Sequence, residues 1–220
     1  NSLGLLHANG WGVALDLEQA AALYRKAADQ GNAKGQSNLG LAYLHGKGVA
    51  QNYQEAAIWL GRAAEKGDAY ALNALGVLYV NGLGVPQDYV RAADLLRKGA
   101  DGGNVQAQFH LGRLYARGQG VGQDYVQAAV FFRKAADQGY ADAQNDLGVL
   151  YAEGLGVARD QAQAAIFYRK AADQGDATAQ ANLGALYASG QGVPKDYLQA
   201  AFWFGKAAEQ GNRDGQDGLG

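Results

Sequence analysis

Side chains able to do chemistry are sparse in this 220-residue chain, and where they gather they suit recognition better than catalysis. His7, His45 and His110 lie in different parts of the chain, and no two have the i, i+4 spacing by which a helix presents a metal-ligand pair. Cysteine is absent, which removes disulfides, thiol nucleophiles and thiolate-bound zinc. No serine or carboxylate accompanies a histidine in a nucleophile–base arrangement, so no catalytic residue is assigned, and neither a cofactor nor a metal is expected. What does gather is charge. Arg113 and Arg117 stand four residues apart, and Asp142, Asp146 and Glu153 follow. The chemistry these sets offer is pairing with the complementary charges of a partner, which fixes register and partner choice.

The elements that must position these residues follow from a repeat. The pair Leu-Gly recurs at 3–4, 39–40, 75–76, 111–112, 147–148, 183–184 and 219–220, always at a step of 36 residues. A fixed period in this range marks stacked supersecondary units. Each unit parses as two helices, with residues 33–67 as the example. Helix A begins after an N-cap column of Asn32, Asp68, Asn104, Asp176 and Asn212, which Tyr140 interrupts, and ends at Gly46 and Gly48. Helix B begins after Asp16, Asn52, Asp88, Asp124, Asp160 and Asp196. Three residues on stand Gln19, Glu55, Gln127, Gln163 and Gln199, the pattern of a capping box, with Arg91 as the exception. A glycine column at Gly31, Gly67, Gly103, Gly139, Gly175 and Gly211 stops helix B.

Of the 33 glycines, 25 fall in four repeat columns, so they punctuate a regular fold and do not signal disorder. Gly40 and its equivalents sit inside helix A, where glycine costs about 1 kcal/mol relative to alanine. Their recurrence predicts that helix B approaches too closely for a Cβ, with the small pair Ala56–Ala57 as the expected partner surface.

Bulk properties bound the function. A formal net charge of −2 and a pI near 5.9 give no basic field for nucleic acid or anionic membrane. No apolar run approaches the ~20 residues that span a bilayer, so direct membrane insertion is not expected. Residues 1–220 read as one continuous repeat domain with a partial helix at each end, and the first residue is Asn1. Those unfinished ends suggest flanking repeats or head-to-tail self-association.

The frame of one repeat, with Tyr43, Gly46, Gly48, Val49, Asn52, Tyr53, Ala56, Ala57, Trp59, Arg62, Ala63, Ala64 and Gly67, resembles the Sel-one-like repeat family. The resemblance covers essentially the whole chain, six times over. It implies an all-α fold, a right-handed α/α superhelical solenoid of tetratricopeptide type. It also implies a non-enzymatic scaffold that binds a protein or peptide in a concave groove lined by helix A. A structural section of a longer or end-to-end envelope scaffold is the alternative. The cysteine-rich branch of the family, with its β-lactam-linked activities, is remote from a chain without cysteine, which leaves a cell-wall-acting hydrolase as a distant third reading. Family membership suggests a bacterial periplasmic, envelope or secreted setting, with the cytoplasm as the other compartment.

On that frame the positions that vary from repeat to repeat mark candidate contacts. The expected groove comprises Tyr70, Asn73, Phe109, His110, Arg113, Arg117, Asp142, Asn145, Asp146 and Glu153. Tyr70 and Phe109 are aromatics outside the repeat's aromatic columns, suited either to anchor a partner or to pack locally, and Asn73 and Asn145 carry amides suited to a peptide backbone. On the outward side of helix B, Ile58, Val130, Ile166 and Phe202 share a column that either is partly buried between neighbouring B helices or forms a convex apolar ridge for a second partner.

Overall fold

The computed structural model describes residues 1–219, and their regular elements are all α-helices. The A helices are α1 (Ser2–Asn9), α3 (Ala33–His45), α5 (Ala69–Asn81), α7 (Val105–Arg117), α9 (Ala141–Glu153), α11 (Ala177–Ser189) and α13 (Arg213–Asp217). The B helices are α2 (Leu17–Asp29), α4 (Tyr53–Ala64), α6 (Tyr89–Asp101), α8 (Tyr125–Asp137), α10 (Gln161–Asp173) and α12 (Tyr197–Glu209). The chain divides into two compact units. Unit 1 holds Asn1–Leu114 with Gln119–Gly122, and unit 2 holds Tyr115–Gly118 with the chain from Gln123 onward. In unit 1 each helix from α1 to α5 packs on the next in sequence, and in unit 2 each from α8 to α12 does; the A helices α3 and α5, and α11 and α13, also touch.

Helix starts are where the cap columns place them. The side chains of Asn32, Asp68, Asn104, Asp176 and Asn212 accept from the amide three residues on, and Tyr140 makes no such bond. Asp16, Asn52, Asp88, Asp124, Asp160 and Asp196 do the same for the B helices. The other half of the expected capping box is not made. The amide of each B-helix cap residue donates instead to the main-chain carbonyl of residue 7, 43, 79, 115, 151 or 187 in the preceding A helix, at 2.9–3.0 Å. Each acceptor lies in the last turn of an A helix, where carbonyls have lost their intrahelical partners. The side chain three residues after the cap is thereby released. Glu55 uses its freedom to accept from the Trp59 indole at 3.1 Å, and Arg91 uses it in a way described below.

Glycine ends the A helices from α1 to α11 by taking the left-handed conformation, as at Gly154 with φ 72°. The mid-helix glycines do receive helix B closely, but the expected partner was only partly right. A Cβ on Gly40 would lie 2.7 Å from Leu60 Cγ, on Gly76 2.8 Å from Leu96 Cγ, on Gly148 2.7 Å from the Tyr168 ring and on Gly184 2.8 Å from the Phe204 ring. A large side chain seats in each glycine notch. The Ala56–Ala57 pair contributes at this point through main chain, since the carbonyls of the equivalent Ala92 and Ala164 stand 3.5 and 3.4 Å away.

The core is a ladder of alanines interleaved with leucines and aromatic residues. Leu39, Leu60 and Leu78 in unit 1 and Leu147 and Leu183 in unit 2 are fully enclosed among them. Each such burial contributes about 1.5–3 kcal/mol.

A row of buried glutamines, which no sequence signal singled out, ties several A helices to the preceding B helix. Gln36, Gln144 and Gln180 donate to the carbonyls of Ala28, Ala136 and Ala172 at 3.1–3.3 Å. In unit 2 the row is linked further, because Gln174 donates to Gln144 and Gln210 to Gln180 at 2.7 and 2.9 Å. Leu72 stands in this column of α5, so that helix packs there without the polar link.

Candidate interaction surfaces

In unit 1 the A-helix side carries a depression of about 290 Å³ whose lining includes Leu5, Lys34, Asn38, Leu41, Asp68 and Tyr70. Tyr70 stands at its edge with 70% of its surface exposed, which is unusual for an aromatic inside a helix. Two other expected groove residues are placed differently. Phe109 is only 4% exposed, so it belongs to the packing and presents no ring to a partner. Its first off-pattern neighbour, Arg113, covers it, with the guanidinium 5.6 Å from the ring centre, and His110 tilts against the same ring at 5.4 Å. Asn73 is buried as well, donating to Gln106 Oε1 at 3.3 Å while its own Oδ1 is enclosed without a donor. The physical reason is the same for both. They precede the exposed stripe by one helical position, about 100°, which turns them toward the neighbouring A helix.

In unit 2 the exposed part of α9 is acidic. Asp142 and Glu153 are exposed and Asp146 is half-buried, all on one side of the helix. Asn145 is buried, and its Oδ1 accepts from Asn182 of α11 at 3.1 Å. The same link joins Asn1 and Asn38 in unit 1 at 2.8 Å. Asn145 therefore serves helix-to-helix bonding and is not a free amide for a peptide backbone. Tyr168 seats behind α9. Burial pushes its hydroxyl well above the usual phenol range, and the charges of Glu153 and Asp146 add to the shift. Arg117, at the end of α7, is exposed.

The B-helix side has a different character. Ile58 in unit 1 is 49% exposed, and Val130, Ile166 and Phe202 in unit 2 are 43%, 47% and 50% exposed, one per B helix. Beside them, arginine bridges consecutive B helices. Arg25 donates to the Tyr43 hydroxyl and lies 5.7 and 5.8 Å from the Tyr43 and Trp59 ring centres. Arg133 does the same with Tyr151 and Phe167, at 5.6 Å from each. Arg169 donates to Tyr187 at 2.6 Å and lies 4.8 Å from the Trp203 ring. These cation–aromatic bridges were legible only as columns of arginine, tyrosine and a second aromatic.

Between α4 and α6 the pattern breaks. Gly61 holds the arginine position and Leu95 the aromatic one. Arg91, the residue that departed from the capping-box column, donates to the Tyr79 hydroxyl at 3.0 Å from the opposite side. It replaces the lost bond but not the lost volume. A Cβ on Gly61 would meet nothing within 4 Å. Gly61→Arg is therefore expected to raise stability by at least the ~1 kcal/mol of helix propensity that glycine forfeits, read as a higher urea midpoint, whereas a lower midpoint would show that the position is not an arginine slot.

Two units of paired α-helices, each repeating one frame and presenting variable side chains on its faces, define an α/α repeat protein. The chain belongs to the Sel1 repeat family, whose pattern matches residues 1–32, 33–68, 69–104, 105–140, 141–176 and 177–212. Proteins of this family generally act as protein–protein interaction scaffolds. The structure is similar to c5321, a protective antigen of uropathogenic Escherichia coli strains displaying an SLR fold, with 41% identity and a TM-score of 0.90. That match covers 99% of this chain and 47% of the other, so the chain spans about half the antigen's length. It is also similar to a Sel1 repeat protein from Oxalobacter formigenes, at 35% identity, TM-score 0.85, and 94% and 83% of the two chains. The immunity protein Pa5087 from Pseudomonas aeruginosa shares the fold at 22% identity and TM-score 0.55, over 90% of this chain and 76% of its own. No curated protein matches the chain. No described helix is long and apolar enough to cross a membrane.

Proposed function

We propose that this chain is a non-enzymatic scaffold that binds a protein or peptide through the side formed by its A helices. The observation that carries the reading is the depression in unit 1, where the exposed Tyr70 stands with the cation Lys34 beside the apolar Leu5 and Leu41. An exposed aromatic at the edge of a polar-rimmed hollow is the usual anchor of an interface, because it offers large apolar area at small entropic cost. The acidic side of α9 and the arginines of α7 supply charge for partner choice, each on its own helix. A bacterial envelope or secreted setting is part of this reading, and similarity to a protective antigen of Escherichia coli supports it.

The test is affinity capture from the source cells by the wild type, the Tyr70→Ala variant and a double Arg113→Glu, Arg117→Glu variant. Tyr70→Ala is expected to weaken capture by about tenfold or more, the magnitude of an aromatic hot spot. The charge reversal is expected to weaken it further in low salt, with circular dichroism unchanged. Capture by both variants at wild-type strength would overturn the proposal.

A further inference from the structure

The cavity between α4 and α6 lies on the B-helix side, away from the surface proposed above, and its shape is defined by the chain's own repetition. It measures about 350 Å³, and Ala57, Gly61, Leu72, Tyr79 and Leu95 are among its lining residues. At the equivalent place between α2 and α4, and again between α8 and α10 and between α10 and α12, an arginine stem descends from the first B helix. There its guanidinium bonds a tyrosine hydroxyl and faces a second aromatic ring. In the α4–α6 copy the tyrosine is kept as Tyr79 and the arginine is replaced by Gly61. The remaining space is what an arginine side chain fills elsewhere in the molecule.

The charges lining it balance, Glu65 and Asp94 against Arg91 and Lys98, so a cation is not repelled. Lys98 is paired with Asp94 at 2.8 Å, and Arg91 is committed to the Tyr79 hydroxyl. Glu65 also lines the cavity, and its carboxylate has no side-chain partner among the described residues. A planar guanidinium suits the slot better than an ammonium. It stacks on the Tyr79 ring, is more weakly hydrated, and carries several donors for the phenol oxygen and the Glu65 carboxylate.

We propose that this cavity is a docking slot for an arginine side chain presented by a protein partner. The incoming stem lies over Gly61 against Ala57, Leu72 and Leu95, and its guanidinium reaches Tyr79 in exchange with Arg91. The exchange is accessible because Arg91 is an exposed side chain, held by one hydrogen bond to the Tyr79 hydroxyl and by its guanidinium lying 5.3 Å from that ring's centre.

The experiment follows the methyl resonances of Leu72 and Leu95 in the full chain while N-acetyl-L-argininamide is added, with the lysine and phenylalanine analogues as comparators. Saturable shifts are expected with the arginine probe, and binding about tenfold weaker with either comparator, the ratio that loss of one stacked, hydrogen-bonded guanidinium gives. Arg91→Ala should tighten binding by removing the competitor. Gly61→Arg should abolish it by filling the slot in cis, and Leu95→Trp, which restores the aromatic found in other repeats, gives a second way to close the space. Equal response to the three probes overturns the proposal, as does binding that survives in either folded, slot-filling variant. A preference for the phenylalanine analogue would assign the cavity to an aromatic side chain and reject arginine.

Discussion

Replacing Gly156 by alanine should destabilise the protein by about 3 kcal/mol or more, among the largest effects of a single added methyl anywhere in the chain. Two independent penalties meet at this residue. Its φ is 66°, where an L-residue costs about 1–2 kcal/mol. A Cβ there would also fall well inside contact distance of the Tyr125 main chain at the start of α8. Main chain at a capped helix start cannot move aside like a side-chain tip, so overpacking adds about 1–3 kcal/mol. Gly139 provides the control. Its φ is 87°, yet a Cβ on it would meet nothing within 4 Å. Gly139→Ala should therefore show only the conformational penalty of about 1 kcal/mol. Urea midpoints of the two variants check the claim. Equal losses would mean that close approach to α8 contributes nothing.

The second large effect is expected at Gly148→Leu. The new Cβ would sit 2.7 Å from the Tyr168 ring, and the rest of the side chain would extend into the space that ring occupies. Leucine recovers about 0.8 kcal/mol of helix propensity. Displacing a buried ring outweighs that gain, for a net loss of about 2–4 kcal/mol. An exposed change in the same helix, such as Asp142→Ala, should stay within about 0.5 kcal/mol. Adding Tyr168→Ala to Gly148→Leu isolates the cause. If steric conflict with the ring is the source, the double variant loses less than the sum of the singles, as coupled neighbours do. Strict additivity would place the origin elsewhere in α9.

These glycines show how much of the repeat frame is local to the sequence. The period assigned a cap to every helix start but the one at Tyr140, a glycine to the A-helix ends and a notch inside the A helices, because caps, φ > 0 and apolar spacing are local requirements that a sequence must meet residue by residue. It did not reveal what fills the notch. Leu60, Tyr168 and Phe204 were visible as large residues on an inner face, but which of them meets Gly40, Gly148 or Gly184 depends on how two helices slide and rotate against each other. The capping box fared the same way. Its glutamines stand at the right spacing, yet the cap amides are taken by carbonyls such as Tyr43 O and Tyr151 O, which only the antiparallel return of helix B brings near.

For the candidate surfaces the division is sharper. The charged stripe of α9 and the exposed Tyr70 follow from helical periodicity alone, which assigns a position to a face. Asn73, Asn145 and Phe109 did not follow, because one step around the helix separates solvent from the next A helix, and only packing says where that boundary falls. The arginine slot lies further from the sequence still. Of its residues only Arg91 stood out, as a lapse in the capping column, and Gly61 and Leu95 joined it as one feature only when folding set all three around Tyr79. The sequence by itself determined the repeat, its helices and the residues free to vary. Tertiary structure alone decided which of those free residues face solvent, which bind one another and where a cavity is left. Short-range patterns specify backbone conformation, but vacancy and contact are properties of neighbours far apart in the chain.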